Sequence, residues 1–164
     1  MHDAQRITGV LSPVVTPFKA RLSPDPERFV RHCRWLLSQD VDAFGRSGFD
    51  VFAGSETFLL RNMQNGGAGC ISATANVHPG PIARLYDTWQ NADADAQQAR
   101  LDEIRGVFQK FPMIPALKAA IAHYGNDAPW ATVRPPLVAL TSAQAKALVT
   151  ELDPKTFAMP GLRG

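Results

Sequence analysis

Ser55 and Glu56 open an apolar-periodic stretch that the spacing of Phe58, Leu59, Leu60 and Met63 reads as a short helix, Glu56 to Asn65. A carboxylate or phosphate could meet unsatisfied backbone N–H groups at such a start. Glu56, however, would itself occupy the positive end, and helix capping is the favoured explanation of the pair. Four histidines (His2, His32, His78 and His123) show no ligand spacing, and a metal site is not expected. Cys33 and Cys70 stand far apart among apolar residues, which reads as two reduced core thiols. Tyr86 and Tyr124 lie within helical patterns. The run Gly66-Gly67-Ala68-Gly69 precedes a strand rather than opening a helix, so it reads as a tight turn and not as a phosphate loop.

The elements that would position these groups alternate. Gly9 to Val15 (GVLSPVV) reads as a buried strand, with Pro13 marking a strand end or edge. Ser23-Pro24-Asp25-Pro26-Glu27 reads as a helix start, with a capping serine and proline in the first turn. The stripe Phe29, Val30, Cys33, Leu36, Leu37 carries that helix to about Ser38. Asp50 to Gly54 and Gly69 to Ala73 read as further strands, and Pro79 to Trp89 as a helix. From residue 93 onward the pattern is helical. Leu101, Ile104, Val107, Phe108 and Phe111 form one stripe, and Ile114, Leu117, Ile121 and Tyr124 another, closed by Gly125. Thr141 and Gln144 form a capping box for a last helix. Three βα units followed by helices imply a parallel sheet with helices packed on it.

Length and charge narrow the classes further. A chain of 164 residues with 45% hydrophobic content suits a packed core, and folding at this size buries roughly 70% of the unfolded surface. Net charge is +2, with 17 basic and 15 acidic residues dispersed, so no nucleic-acid partner is expected. MHDAQRITGV has no apolar signal region, and no run approaches the roughly 20 apolar residues of a membrane span. No membrane partner and a cytoplasmic location are the expectation.

Three stretches resemble the dihydrodipicolinate synthase / N-acetylneuraminate lyase family. Gly9-Val10-Leu11-Ser12-Pro13-Val14-Val15-Thr16-Pro17-Phe18 is similar to its first strand and the Thr-Pro-Phe loop above it. Val51-Phe52-Ala53-Gly54-Ser55-Glu56, then Gly66-Gly67-Ala68-Gly69-Cys70-Ile71-Ser72 and Asn76, resemble its seventh and eighth strands. Pro112-Met113-Ile114-Pro115-Ala116-Leu117-Lys118-Ala119-Ala120, then Val133-Arg134-Pro135-Pro136-Leu137, resemble its C-terminal signature. The resemblance implies a (β/α)8 barrel with a helical extension, but such a barrel needs roughly 250 residues. Only about a dozen residues separate the first helix from the seventh strand, where the family places five βα units. The expectation is therefore an α/β fold, a partial TIM-type barrel of three βα units (strands 1, 7 and 8). Residues 1–90 would form the barrel remnant, with an internal deletion joined near 38–50, and residues 91–164 the C-terminal helical extension.

By this resemblance the relatives condense or cleave 2-oxo acids, typically pyruvate, through a lysine imine and without a cofactor. The family's Gly-Thr-Thr-Gly-Glu loop, catalytic tyrosine and imine lysine all fall in the missing part. An imine needs an amine that is unprotonated part of the time, hence a lysine desolvated in a pocket. The five lysines are Lys19, Lys110, Lys118, Lys146 and Lys155, and none stands at the end of an apolar strand. Lys19 comes closest, but it also reads as a solvated loop residue; Lys118 reads as a snorkelling or structural helix residue. No catalytic residue is assigned. Thr16, Ser55, Glu56, Ile71, Ser72, Thr74 and Asn76 are the vestigial strand-end residues of a substrate site.

The chain thus reads as an inactive member of a lyase family, with a small 2-oxo acid as its only small-molecule partner. The alternatives are a working lyase using Lys19 or a partner chain's lysine, and a non-catalytic helical interaction module. Two strand orders are open. The third strand lies in the middle, as barrel closure requires, or the strands run in sequence, as right-handed crossovers favour. Either leaves open strand edges and an uncovered inner face, so self-association is expected.

Overall fold

A computed structural model describes residues 9–13, 15–37 and 51–162; the expected junction at 38–50 lies outside the described residues. The chain forms two compact units, one of residues 1–13 and 36–102, the other of residues 14–35 and 103–164.

The first unit is an α/β layer. Strands β1 (Gly9–Leu11), β2 (Phe52–Ala53) and β3 (Gly69–Ile71) form a parallel sheet in the order β1-β3-β2. Of the two orders open from sequence, the structure takes the one with the third strand in the middle. The register pairs Val10 with Cys70 and Leu11 with Ile71, and on the other side Phe52 with Gly69 and Ala53 with Cys70. Because side chains alternate across a strand, Val10, Cys70 and Ala53 share one face and Leu11, Ile71 and Phe52 the other.

The first face is the packed one. Val10 and Cys70 join a core with Leu59 and Leu60 of α2 (Leu59–Gln64), Ile82, Ala83 and Leu85 of α3 (Pro79–Thr88), and Ala94 and Leu101 of α4 (Ala94–Phe108). Burying each of the larger side chains contributes about 1.5–3 kcal/mol. On the second face Ile71 is 43% exposed. Two glycines set the strand starts. Gly69 (φ +146°) brings β3 so close to β1 that a Cβ there would stand 2.0 Å from the Gly9 carbonyl oxygen. Gly66 (φ +80°) ends α2 in the left-handed region, as the Gly-Gly stop implied.

All three strands are shorter than the sequence runs suggested. In the first, Pro13 cannot donate to a ladder, so pairing ends at Leu11. The stretch Glu56–Asn65 begins as a 3₁₀ turn, Glu56–Phe58, before α2 starts at Leu59.

The second unit is helical. It contains α1 (Pro26–Leu37) to Trp35, the later part of α4, α5 (Met113–Tyr124) and α6 (Ser142–Leu152). Helix α1 starts with proline at its first position, but the Arg28 N–H bonds to Asp25 Oδ1 (3.2 Å), so Asp25 and not Ser23 is the cap. Of the expected stripes, Leu101, Ile104, Val107 and Phe108 are buried, as are Leu117 and Ile121, while Ile114 is exposed. Phe157 stands edge-on to Phe108 and to Tyr124, at 5.9 and 5.0 Å between ring centres. The capping box of α6 is formed as expected: Thr141 Oγ1 accepts the Gln144 N–H, and the Gln144 side chain accepts the Thr141 N–H. Among the described residues no helix is long and apolar enough to cross a membrane.

Candidate functional site

In the first unit the ends of β2 and β3 lead into two 3₁₀ turns, Glu56–Phe58 and Ala73–Asn76, and these turns bring together most of the singled-out polar residues. Ser55 has extended backbone and caps the first turn, its hydroxyl accepting the Thr57 N–H at 3.3 Å. Glu56 does not do that capping. Its carboxylate accepts hydrogen bonds from the hydroxyls of Ser72 and Thr74, which lie just after β3. Glu56 is 2% exposed, and Ser72 and Thr74 are fully buried. A buried carboxylate is tolerable where hydroxyl donors replace its lost water shell.

Asn76 completes the rim. Its Nδ2 donates to the Ala73 carbonyl (2.8 Å) and the Pro13 carbonyl (3.0 Å), fixing the β3 turn to the chain just after β1. Gln98 of α4 reaches the same corner, donating to the Glu56 carbonyl (3.0 Å) while accepting the Leu60 N–H (3.1 Å). Around this corner burial dominates the titration of its neighbours. It pushes the Cys70 thiol up to about 12, with the Glu56 charge adding to the effect, and the His78 imidazole down to about 4, against an opposing pull from Glu56. Burial also raises the Asp102 carboxyl.

Ser55, Glu56, Ser72, Thr74 and Asn76 therefore form one connected corner, whereas Ile71 stands on the opposite, exposed sheet face. Thr16 belongs to the second unit, where its exposed side chain plays no part and its carbonyl does. The ammonium of Lys118 donates to the Thr16 oxygen at 2.8 Å and stands 4.7 Å from the centre of the Phe18 ring. Lys118 does not snorkel: it is 1% exposed. It shares its arc of α5 with Leu117 and Ile121, so the stem runs inward and the head meets a carbonyl and an aromatic face instead of water. Desolvation pushes its amine down to about 8.

The other four lysines are of a different kind. Lys19 and Lys146 are exposed, Lys110 pairs with Glu151, and Lys155 with Glu103 at 3.8 Å. Sequence reasoning missed Gln98, which serves the strand-end corner from 42 residues away, and Lys118 as a buried amine, whose acceptor is 102 residues away. The position of Lys118 on the apolar arc of α5 was the available signal. Among the described residues no group of three or more His, Cys, Asp or Glu could hold a metal ion.

An open parallel sheet with helices over one face, and polar residues gathered at the C-terminal strand ends, defines an α/β scaffold. The comparisons make this specific. A sequence profile of the dihydrodipicolinate synthetase family matches residues 44–155. An uncharacterized DapA-like lyase from Halobacterium salinarum is 34% identical over 119 residues, covering 71% of this chain and 38% of that relative. Among solved structures, YagE, a prophage protein of the dihydrodipicolinic acid synthase family from E. coli K12 in complex with pyruvate, is 27% identical with a TM-score of 0.59. That match covers 67% of this chain and 38% of the other. Dihydrodipicolinate synthase from Agrobacterium tumefaciens is 25% identical with a TM-score of 0.55, covering 76% and 39% respectively. This protein belongs to the dihydrodipicolinate synthetase family. It spans well under half the length of the relatives it matches.

Proposed function

We propose that this chain is a non-catalytic relative of a lyase acting on 2-oxo acids of the pyruvate class, with β1, β2 and β3 corresponding to the first, seventh and eighth strands of the family barrel. The resemblance supplies the chemistry, an imine between a lysine amine and the keto carbon. The observation that carries the reading is where the amines are. All five lysines lie within the described residues, and none is at a strand end of the first unit. The groups at those ends are hydroxyls hydrogen-bonded to a carboxylate, and an amide hydrogen-bonded to backbone carbonyls. Such a corner can hold turns in place, but it offers no nitrogen nucleophile to a carbonyl.

Ser55, Glu56, Ser72, Thr74 and Asn76 are, in this reading, the surviving rim of a substrate site. The exposed apolar side chain of Ile71 supports self-association of the chain, measurable as a mass above that of the monomer by light scattering. One observation favours a second reading, a working lyase with its own lysine: the Lys118 amine is desolvated and less basic than usual. Its 1% exposure and its seat between the Thr16 carbonyl and the Phe18 ring argue against access by a keto acid. Pyruvate release from 4-hydroxy-2-oxo acids, followed through a coupled reduction, tests the choice. The proposal expects no release above background. Turnover that disappears in Lys118→Met would replace it with the second reading.

A further inference from the structure

We propose that the sheet of the first unit is one arc of a barrel closed in trans, and that its partner is a polypeptide of five consecutive βα units. The inference rests on reading β1, β2 and β3 as the first, seventh and eighth barrel strands.

Strand order is the first support. With β3 between them, β1 and β2 are the two outer strands, and among the described residues no strand lies beyond either. These are also the two strands between which the chain is short of βα units. The place where strands are missing from the sequence and the place where the sheet is open are therefore the same. Side chains give the second support. Leu11, Phe52 and Ile71 share the sheet face opposite the packed Val10, Cys70 and Ala53, and Ile71 is 43% exposed. Leu11 and Phe52 are half-buried; barrel interiors are filled by layers of bulky apolar side chains contributed by alternate strands, and Ile71 is the exposed position that such a layer would cover.

Counting decides among occupants. A closed barrel of this class has eight strands, and the three present here leave five to be supplied. Two copies of this chain would bring six strands and three copies nine, so copies do not reach eight. A loose peptide is no better, since β1 has three residues and β2 two, which gives an added strand few ladder hydrogen bonds. The partner must bring its own apolar layer, and five βα units do. Self-association is then the behaviour of the chain without its partner.

The test is co-expression of the tagged full chain with the segment between the first and seventh strands of the Halobacterium DapA-like lyase. The expected result is a one-to-one complex by light scattering. Ile71→Lys should lower fragment recovery at least tenfold, while the variant alone keeps the circular dichroism and melting curve of the parent. A fragment that stays aggregated with and without the chain overturns the proposal. So do chain oligomers that persist in excess fragment and dissolve in Ile71→Lys, which would assign the face to a second copy. Borohydride with pyruvate on the purified complex reads the underlying assignment separately. An adduct on the fragment supports both the docking and the lyase ancestry of the site. A complex without an adduct leaves the docking standing and removes the substrate class.

Discussion

Lys118 and Glu56 show how differently one fold treats two buried ionisable side chains. The Glu56 carboxylate accepts hydroxyl donors from Ser72 and Thr74; the Lys118 amine meets the Thr16 carbonyl and the Phe18 ring, and desolvation lowers its basicity. Glu56→Ala would remove the acceptor that the Ser72 and Thr74 hydroxyls share, and a hydrogen bond contributes about 0.5–1.5 kcal/mol. A loss of at least that size in the unfolding free energy from urea titration is expected, with Glu56→Gln losing less because its amide oxygen still accepts. The pH dependence follows from burial. His78 is held neutral down to about 4, whereas the unfolded chain takes up the proton near 6.5. The unfolded state therefore binds more protons between those values, and stability should rise as pH goes from about 4 to 6.5. Lys118 works in the same direction at higher pH. The folded amine releases its proton near 8 and the unfolded one near 10.5, so stability should also rise across that window, and Lys118→Met should flatten the rise. Urea titrations at a series of pH values check both.

At the scale of elements, the close approach of β1 and β3 depends on Gly69. A Cβ there would collide with the Gly9 carbonyl, and φ of +146° is strained for any L side chain. Gly69→Ala is expected to cost upward of about 1–3 kcal/mol. Gly54→Ala, where nothing lies within 4 Å of the new atom, should stay within about 0.5 kcal/mol. Removing the α6 cap with Thr141→Ala should cost about 1 kcal/mol in a thermal melt. That cap was legible because Thr141 and Gln144 are three residues apart and serve each other. The Gly-Gly stop of α2 and the apolar stripes were legible for the same local reason. The cap of α1 was misplaced, since Ser23 and Asp25 both qualify by type and only the backbone decides that Asp25 faces the Arg28 N–H. Strand lengths were overestimated because an apolar run does not reveal where a partner strand stops. The strand-end corner was half legible. Its residues could be named, but nothing local says that Glu56 turns toward Ser72 and Thr74 rather than its own helix, or that Gln98 closes the corner from 42 residues away.

For the whole molecule, family membership and the proposed loss of catalysis rest on different residues. The family match runs over residues 44–155, which include the Gly69 approach and α5 with its inward lysine. The chain covers 38% of its Halobacterium relative. Catalysis by a lysine imine depends instead on one nitrogen in one pocket, a demand that packing residues do not meet. Borohydride reduction of the intact chain with pyruvate tests this most directly, at about pH 9 so that an amine titrating near 8 is largely neutral. The account predicts an intact mass unchanged by the treatment. A stoichiometric pyruvyl adduct mapping to Lys118 or Lys19 would contradict it.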